Sequence, residues 1–289
     1  MTGRCILAAI DLGTETGKIV AYAARFSAVA QAPVRLLYVM DYLLTPPAYL
    51  MPHVEEEKKR DEAEMVRWLS VLEKEGISAD YRLMTGRLHE SFVTAAAEYV
   101  PDLLIIGHAS HALRPSSSER LIKSLRMPML VVRGARSEDA ATGGVQIRNI
   151  LCAVDFSESS RKALQCASAY ASAFSASLRI VHAVPSHSLK DRWTKWTQGG
   201  KSEREQFEKA VSDEAEAALD RLIRDAGISA PVSLAHGVPS EVVCAEAERG
   251  GHDLVVIGAR GLSYIKGMFI GSVAEAVIKA SPCPVLIVH

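Results

Sequence analysis

The chain has 289 residues and a formal net charge of -1, with 33 lysines and arginines against 34 aspartates and glutamates, so it lacks the positive field with which proteins grip duplex nucleic acid. Hydrophobic residues make up 48% and charged residues 23%, an ordinary globular balance, and no apolar run approaches the ~20 residues that cross a bilayer. Neither nucleic acid nor membrane is expected as a partner, and the length suits two domains of roughly 100 to 150 residues each. Met1 leads through Thr2, Gly3 and Arg4 straight into an apolar stretch with no signal-peptide layout, so a cytoplasmic location is expected. The five cysteines, Cys5, Cys152, Cys166, Cys244 and Cys283, show no C-x-x-C pairing and read as buried thiols.

The first apolar run, I-L-A-A-I, ends at Asp11 and reads as a buried strand. Residues 55–64 are dense in charge and fit the solvated face of a helix. Further on come Gly76-Ile77-Ser78-Ala79, then Gly86 and Glu90, then D-L-L-I-I-G ending at Gly107, then Pro128 with M-L-V-V. A small, polar stretch, 134–146, has the character of a linker. Beyond it the same landmarks return. I-L-C-A-V ends at Asp155, 144 residues after Asp11; Gly227-Ile228-Ser229-Ala230, Gly237, Glu241 and D-L-V-V-I-G ending at Gly258 stand 151 residues after their counterparts; Pro284 with V-L-I-V stands 156 after Pro128. A repeat this long is a duplicated domain rather than a solenoid, giving domains at 1–138 and 147–289.

Within the second copy, strands are expected at 150–155, 178–184, 232–235, 253–257 and 285–288, and helices at 159–174, 203–226, 240–248 and 272–280. Five strands with interposed helices give an α/β, Rossmann-like or flavodoxin-like domain: a mainly parallel sheet of order 3-2-1-4-5 with helices on both faces. In such sheets ligands bind beyond the carboxyl ends of the strands where the order reverses, which brings Asp155 and Gly258 to one crevice. Gly258 opens the stretch G-A-R-G-L-S-Y-I-K-G-M-F-I-G-S. Glycines at 258, 261 and 271 offer backbone N–H groups to an anion, and a helix starting at Ser272 aims its positive end at the same place. Ser272 with Glu275 also forms an S-x-x-E capping box, repeated by Ser116 and Glu119. The box is therefore assigned to folding and the three glycines to ligand. In the first copy Gly107 is followed by Ser110 and Pro115 where the second and third glycines would stand, with five residues missing, so that copy is expected to hold no nucleotide. His108 and His111 have H-x-x-H spacing but no third ligand, and Trp193 and Trp196, in an insert at 186–201, suit a contact surface or a lid.

The strand ending in aspartate with D-F-S-E-S-S-R-K-A-L after it, the histidine of Ile180-Val181-His182-Ala183-Val184, and above all Gly258-x2-Gly261-x9-Gly271-Ser272 resemble the universal stress protein family, here in tandem. That resemblance implies an adenine nucleotide, ATP or AMP or ADP, with or without magnesium. It implies that Ala153, Val154 and Ala183 line the adenine slot, that Asp155 meets the adenosine end, and that Gly258, Arg260, Gly261, Gly271, Ser272 and Val273 hold ribose and phosphates. It further implies a stress-response module whose occupancy alters contact with an unidentified protein partner, and pairing through the last strands, as a pseudo-dimer within one chain or also between two chains. The loop lacks the G-K-[ST] of a P-loop, so no catalytic residue is assigned; slow ATP hydrolysis and a nucleotide-free scaffold stay open as alternatives.

Overall fold

The computed structural model describes residues 5–40, 50–108, 117–133, 144–185, 201–261 and 270–289. They fall into two compact units, Met1–Gln146 and Ile147–His289. The first runs β1 (Ile6–Ala9), α1 (Thr16–Ala30), β2 (Val34–Met40), α2 (Met51–Lys74), β3 (Ala79–Thr85), α3 (Leu88–Tyr99), β4 (Leu103–Gly107), α4 (Ser117–Ser124) and β5 (Met129–Val132). The second runs β6 (Asn149–Ala153), α5 (Glu158–Phe174), β7 (Ser177–Pro185), α6 (Lys201–Ala226), β8 (Val232–Gly237), α7 (Pro239–Arg249), β9 (Leu254–Gly258), α8 (Ser272–Ala280) and β10 (Val285–Val288).

The strand order is β3-β2-β1-β4-β5 in the first unit and β8-β7-β6-β9-β10 in the second. Every neighbouring pair within a unit is parallel. This is the 3-2-1-4-5 order expected from the sequence, and the reason is the alternation itself: parallel neighbours require crossovers, and the helices supply them. Side chains along a strand point alternately to opposite faces, so a strand buried at every position is covered on both. That is the state of β9 and β10. The outer strands β3 and β8 are only partly covered, with Asp80, Arg82 and Thr85 exposed on β3 and Val232 and His236 on β8.

Registers fix the correspondence between the units. Leu7 pairs with Arg35 and Arg35 with Asp80; Leu151 pairs with Arg179, and Ile180 with Val232. Both copies turn sharply after the aspartate that follows the first strand: Leu12 has φ 56° and Phe156 φ 67°. Left-handed backbone costs a non-glycine residue about 1–2 kcal/mol, so its recurrence at matching positions marks a turn that the fold imposes.

The start of α8 is capped differently from the expected form. Gly271, in extended backbone with φ -79° and ψ 155°, is the N-cap of α8, and Ser272 is its first residue. The third helical residue is then Ala274, so Glu275 lies one position too far for a reciprocal box; it pairs with Lys279 at 2.9 Å instead. The proposed second box involves Ser116, which lies outside the described residues. A true serine cap occurs elsewhere: Ser157, at the start of α5, accepts a hydrogen bond from the Ser160 N–H at 3.2 Å. The charge run at 55–64 is largely exposed on α2, with Asp61 as a buried exception. Three cysteines, Cys5, Cys152 and Cys283, are buried thiols, whereas Cys166 and Cys244 are half-buried; none of the five forms a disulfide.

Candidate functional site

Beyond the carboxyl ends of β6, β7 and β9 lies a cavity of about 400 Å³. The sheet order places it there, because the strands run away from β6 in opposite directions on its two sides and leave a crevice. All ten residues singled out in the sequence line it: Ala153, Val154, Asp155, Ala183, Gly258, Arg260, Gly261, Gly271, Ser272 and Val273. Residues 262–269, the middle of the glycine stretch, lie outside the described residues.

One side of the cavity is apolar. Ala153 ends β6 and Val154 follows it, Val181 and Ala183 come from β7, and Pro239 and Val243 come from α7. His182 closes this side by donating from Nδ1 to the Val154 carbonyl at 2.8 Å; a carbonyl only accepts, so the proton sits on Nδ1 and Nε2 is an acceptor in the neutral ring. Its ring lies 4.5 Å from that of Phe156, which the left-handed turn brings across.

Asp155 stands at the middle. Its Oδ1 accepts from the Ser157 N–H at 3.1 Å and from the Ser157 hydroxyl at 2.5 Å. Its Oδ2 lies against Gly261, so close that a β-carbon there would stand 2.6 Å from it. Gly261 is thus a position where backbone and carboxylate can approach only without a side chain.

The other two glycines have different reasons. A β-carbon on Gly258 would fall 2.8 Å from both Ser159 C and Ser160 N, backbone atoms that cannot yield. Gly258 therefore lets the start of α5 close on β9, a packing role that stands beside its place in the lining of the cavity. Gly271 has room, its nearest atom being 3.6 Å from a β-carbon, and its N–H already donates to the Ala259 carbonyl at 2.7 Å. Among the described residues the N–H groups of Gly261, Ser272, Val273 and Ala274 have no hydrogen-bond partner, the last three being the donors that any helix leaves unpaired in its first turn. These N–H groups, with the positive end of α8, make the polar side of the cavity an anion acceptor.

A serine clamp that the sequence reading passed over holds this arrangement. The Ser159 hydroxyl donates to the Arg260 carbonyl at 2.7 Å and accepts from the Arg260 N–H at 3.1 Å, and Ser157 Oγ stands 3.1 Å from the same carbonyl. The first copy has Gly13 and Glu15 at the matching positions, and Glu15 pairs with Lys18 at 3.0 Å. Comparing D-L-G-T-E-T with D-F-S-E-S-S was the signal available for the clamp. Of the H-x-x-H pair, His108 is buried and His111 is outside the described residues, as are Trp193 and Trp196. Among the described residues no helix is long and apolar enough to cross a membrane, and no cluster of three or more His, Cys, Asp or Glu side chains is placed to hold a metal ion.

The profile of the universal stress protein family matches this chain twice, at residues 4–133 and 146–289. Among curated relatives, universal stress protein YxiE of Bacillus subtilis is 32% identical over an alignment of 156 residues that covers 48% of this chain and 97% of that protein. Universal stress protein MJ0577 of Methanocaldococcus jannaschii is 28% identical over 50% of this chain and 96% of its own length. Each relative thus corresponds to about half of the chain. A crystal structure of a universal stress protein from Archaeoglobus fulgidus covers 100% of this chain and 99% of its own with a TM-score of 0.72 at 19% identity, a likeness of fold. Two matches of the profile, end to end on one chain with two units of the same strand order, leave one assignment: the chain belongs to the universal stress protein family and carries that family's domain in tandem.

Proposed function

We propose that the second unit binds an adenine nucleotide, ATP or AMP or ADP, with or without magnesium, and that occupancy serves a regulatory or interaction role in the stress response rather than catalysis. One observation carries this reading: a single cavity of about 400 Å³ has an apolar slot on one side, a carboxylate in the middle and unpartnered helix-start N–H groups on the other. A nucleotide has the same three parts in the same order. The adenine ring takes the slot between Val154, Ala183 and Val243, with backbone groups of β6 and β7 at its edge. Asp155 accepts from the ribose hydroxyls, and the phosphates meet Gly261, Ser272 and Val273, with Arg260 supplying positive charge. The volume lies within the range of small-molecule sites, roughly 300–1,000 Å³.

Calorimetric titration of ATP into wild-type chain and Asp155→Ala tests it. Loss of a charge-assisted hydrogen bond costs about 1.5–3 kcal/mol, so affinity is expected to fall roughly 10- to 100-fold in the variant. Equal affinity in both would sink the assignment of Asp155. A thermal melt separates this reading from the nucleotide-free scaffold: ATP at about 100 times its Kd stabilises by about 2.7 kcal/mol, whereas a scaffold shows no shift.

A further inference from the structure

The hydroxyl of Ser159 sits between the two helix starts that frame the nucleotide-facing cavity, and the end of the sheet explains what it does there. β6 stops at Ala153, the residue paired with Ile257, so the ladder between β6 and β9 offers nothing to the backbone of Arg260. A backbone amide left without partners near a protein interior is costly, and here a side chain supplies both of them. Ser159 Oγ accepts from the Arg260 N–H at 3.1 Å and donates to the Arg260 carbonyl at 2.7 Å. A β-carbon on Gly258 would meet the Ser159 oxygen before any other atom, so glycine at the end of β9 admits the hydroxyl to that place.

Ser157 does not duplicate this role. Its oxygen stands 3.1 Å from the same carbonyl, but its one proton has a nearer, charge-assisted acceptor in Asp155 Oδ1 at 2.5 Å. On the other side of the segment, Ala259 donates to the Val288 carbonyl and accepts from the N–H of Gly271, the N-cap of α8, both at 2.7 Å. Residues 259 and 260 are thus tied to α8 through Gly271 and to α5 through Ser159, and Gly261 follows them directly. The first unit has Glu15 at the position of Ser159, with its carboxylate 3.0 Å from Lys18 Nζ, and so lacks the device independently of its missing glycines.

We infer that Ser159 is the positioning residue for the phosphate side of the site, a role that rests on the nucleotide reading above. Its proton is committed to the Arg260 carbonyl and it is not among the residues that line the cavity, so it acts through Arg260 and Gly261 rather than on the ligand. Without the hydroxyl, the Arg260 N–H and carbonyl lose their partners, and the segment carrying Arg260 and Gly261 is no longer fixed to α5. The apolar slot formed by Ala153, Val154, β7 and α7 stays as it is, and so does Asp155, which Ser157 holds. The loss of affinity therefore falls on ligands that carry phosphates.

Calorimetric titration of ATP and of adenosine into the full-length wild type, Ser159→Ala and Ser159→Thr tests this. ATP is expected to bind about tenfold more weakly or worse to Ser159→Ala, while adenosine stays within about twofold of its wild-type affinity. Ser159→Thr, which keeps the hydroxyl, is expected to recover ATP binding. Unchanged ATP affinity in folded Ser159→Ala, an equal loss for ATP and adenosine, or no recovery in folded Ser159→Thr overturns the role of Ser159 and leaves the nucleotide reading standing. A wild-type chain that binds no ATP overturns both.

Discussion

Three glycines in one loop look alike in sequence and differ in what surrounds them. A β-carbon on Gly258 would meet backbone atoms of α5, one on Gly261 the Asp155 carboxylate, and one on Gly271 nothing nearer than 3.6 Å. Gly258→Ala is therefore expected to destabilise the chain by about 1–3 kcal/mol through overpacking. Gly271→Ala should cost less than about 1 kcal/mol, the difference between glycine and alanine as an N-cap. Urea unfolding of the two variants measures this, and equal losses would refute the packing role of Gly258. His252 offers a second residue-scale test. Burial holds its imidazole below the ordinary value of 6.5, aided by the charge of Arg179 and opposed by the carbonyls of Glu246 and Ala247 and the charge of Glu246. The folded state thus prefers the neutral ring, so its contribution is intact above pH 6.5 and is lost as pH falls through the lowered value. Between about pH 7.5 and pH 5 the wild type should lose more stability than His252→Gln; equal losses by denaturant titration would contradict this.

At the scale of elements, most of what positions the site is legible in the sequence. Apolar strands without alternation, ended by aspartate or glycine and followed by helix-forming runs, identify β6, α5, β9 and α8 within one or two residues. What stayed hidden depends on atoms distant in sequence. The bounds of α8 match the expected 272–280, but its cap is Gly271 rather than Ser272: S-x-x-E is a local pattern, whereas Gly271 is held in extended backbone by a bond to the Ala259 carbonyl across the loop. The serine clamp escaped notice for a similar reason. Ser159 and Arg260 are 101 residues apart, and nothing within D-F-S-E-S-S says that its hydroxyl spans β9 and α5. Sterics hid the role of Gly258 as well, since its limiting contact is with a helix formed about a hundred residues earlier in the chain.

For the molecule as a whole, duplication lets each copy interpret the other. The two units share strand order, register and the left-handed turn after their first strand, so the scaffold is common property of both. Differences beside the nucleotide-facing cavity then point to function: serines stand in place of Gly13 and Glu15. In this view one copy keeps the phosphate-facing loop and the other keeps the fold. Calorimetric titration of ATP into the full chain tests that division most directly. One equivalent should bind per chain, and binding should be lost in Gly261→Val, whose β-carbon would stand 2.6 Å from the Asp155 carboxylate and drive it from its place. Two equivalents, none, or undiminished binding by the folded Gly261→Val chain would contradict it.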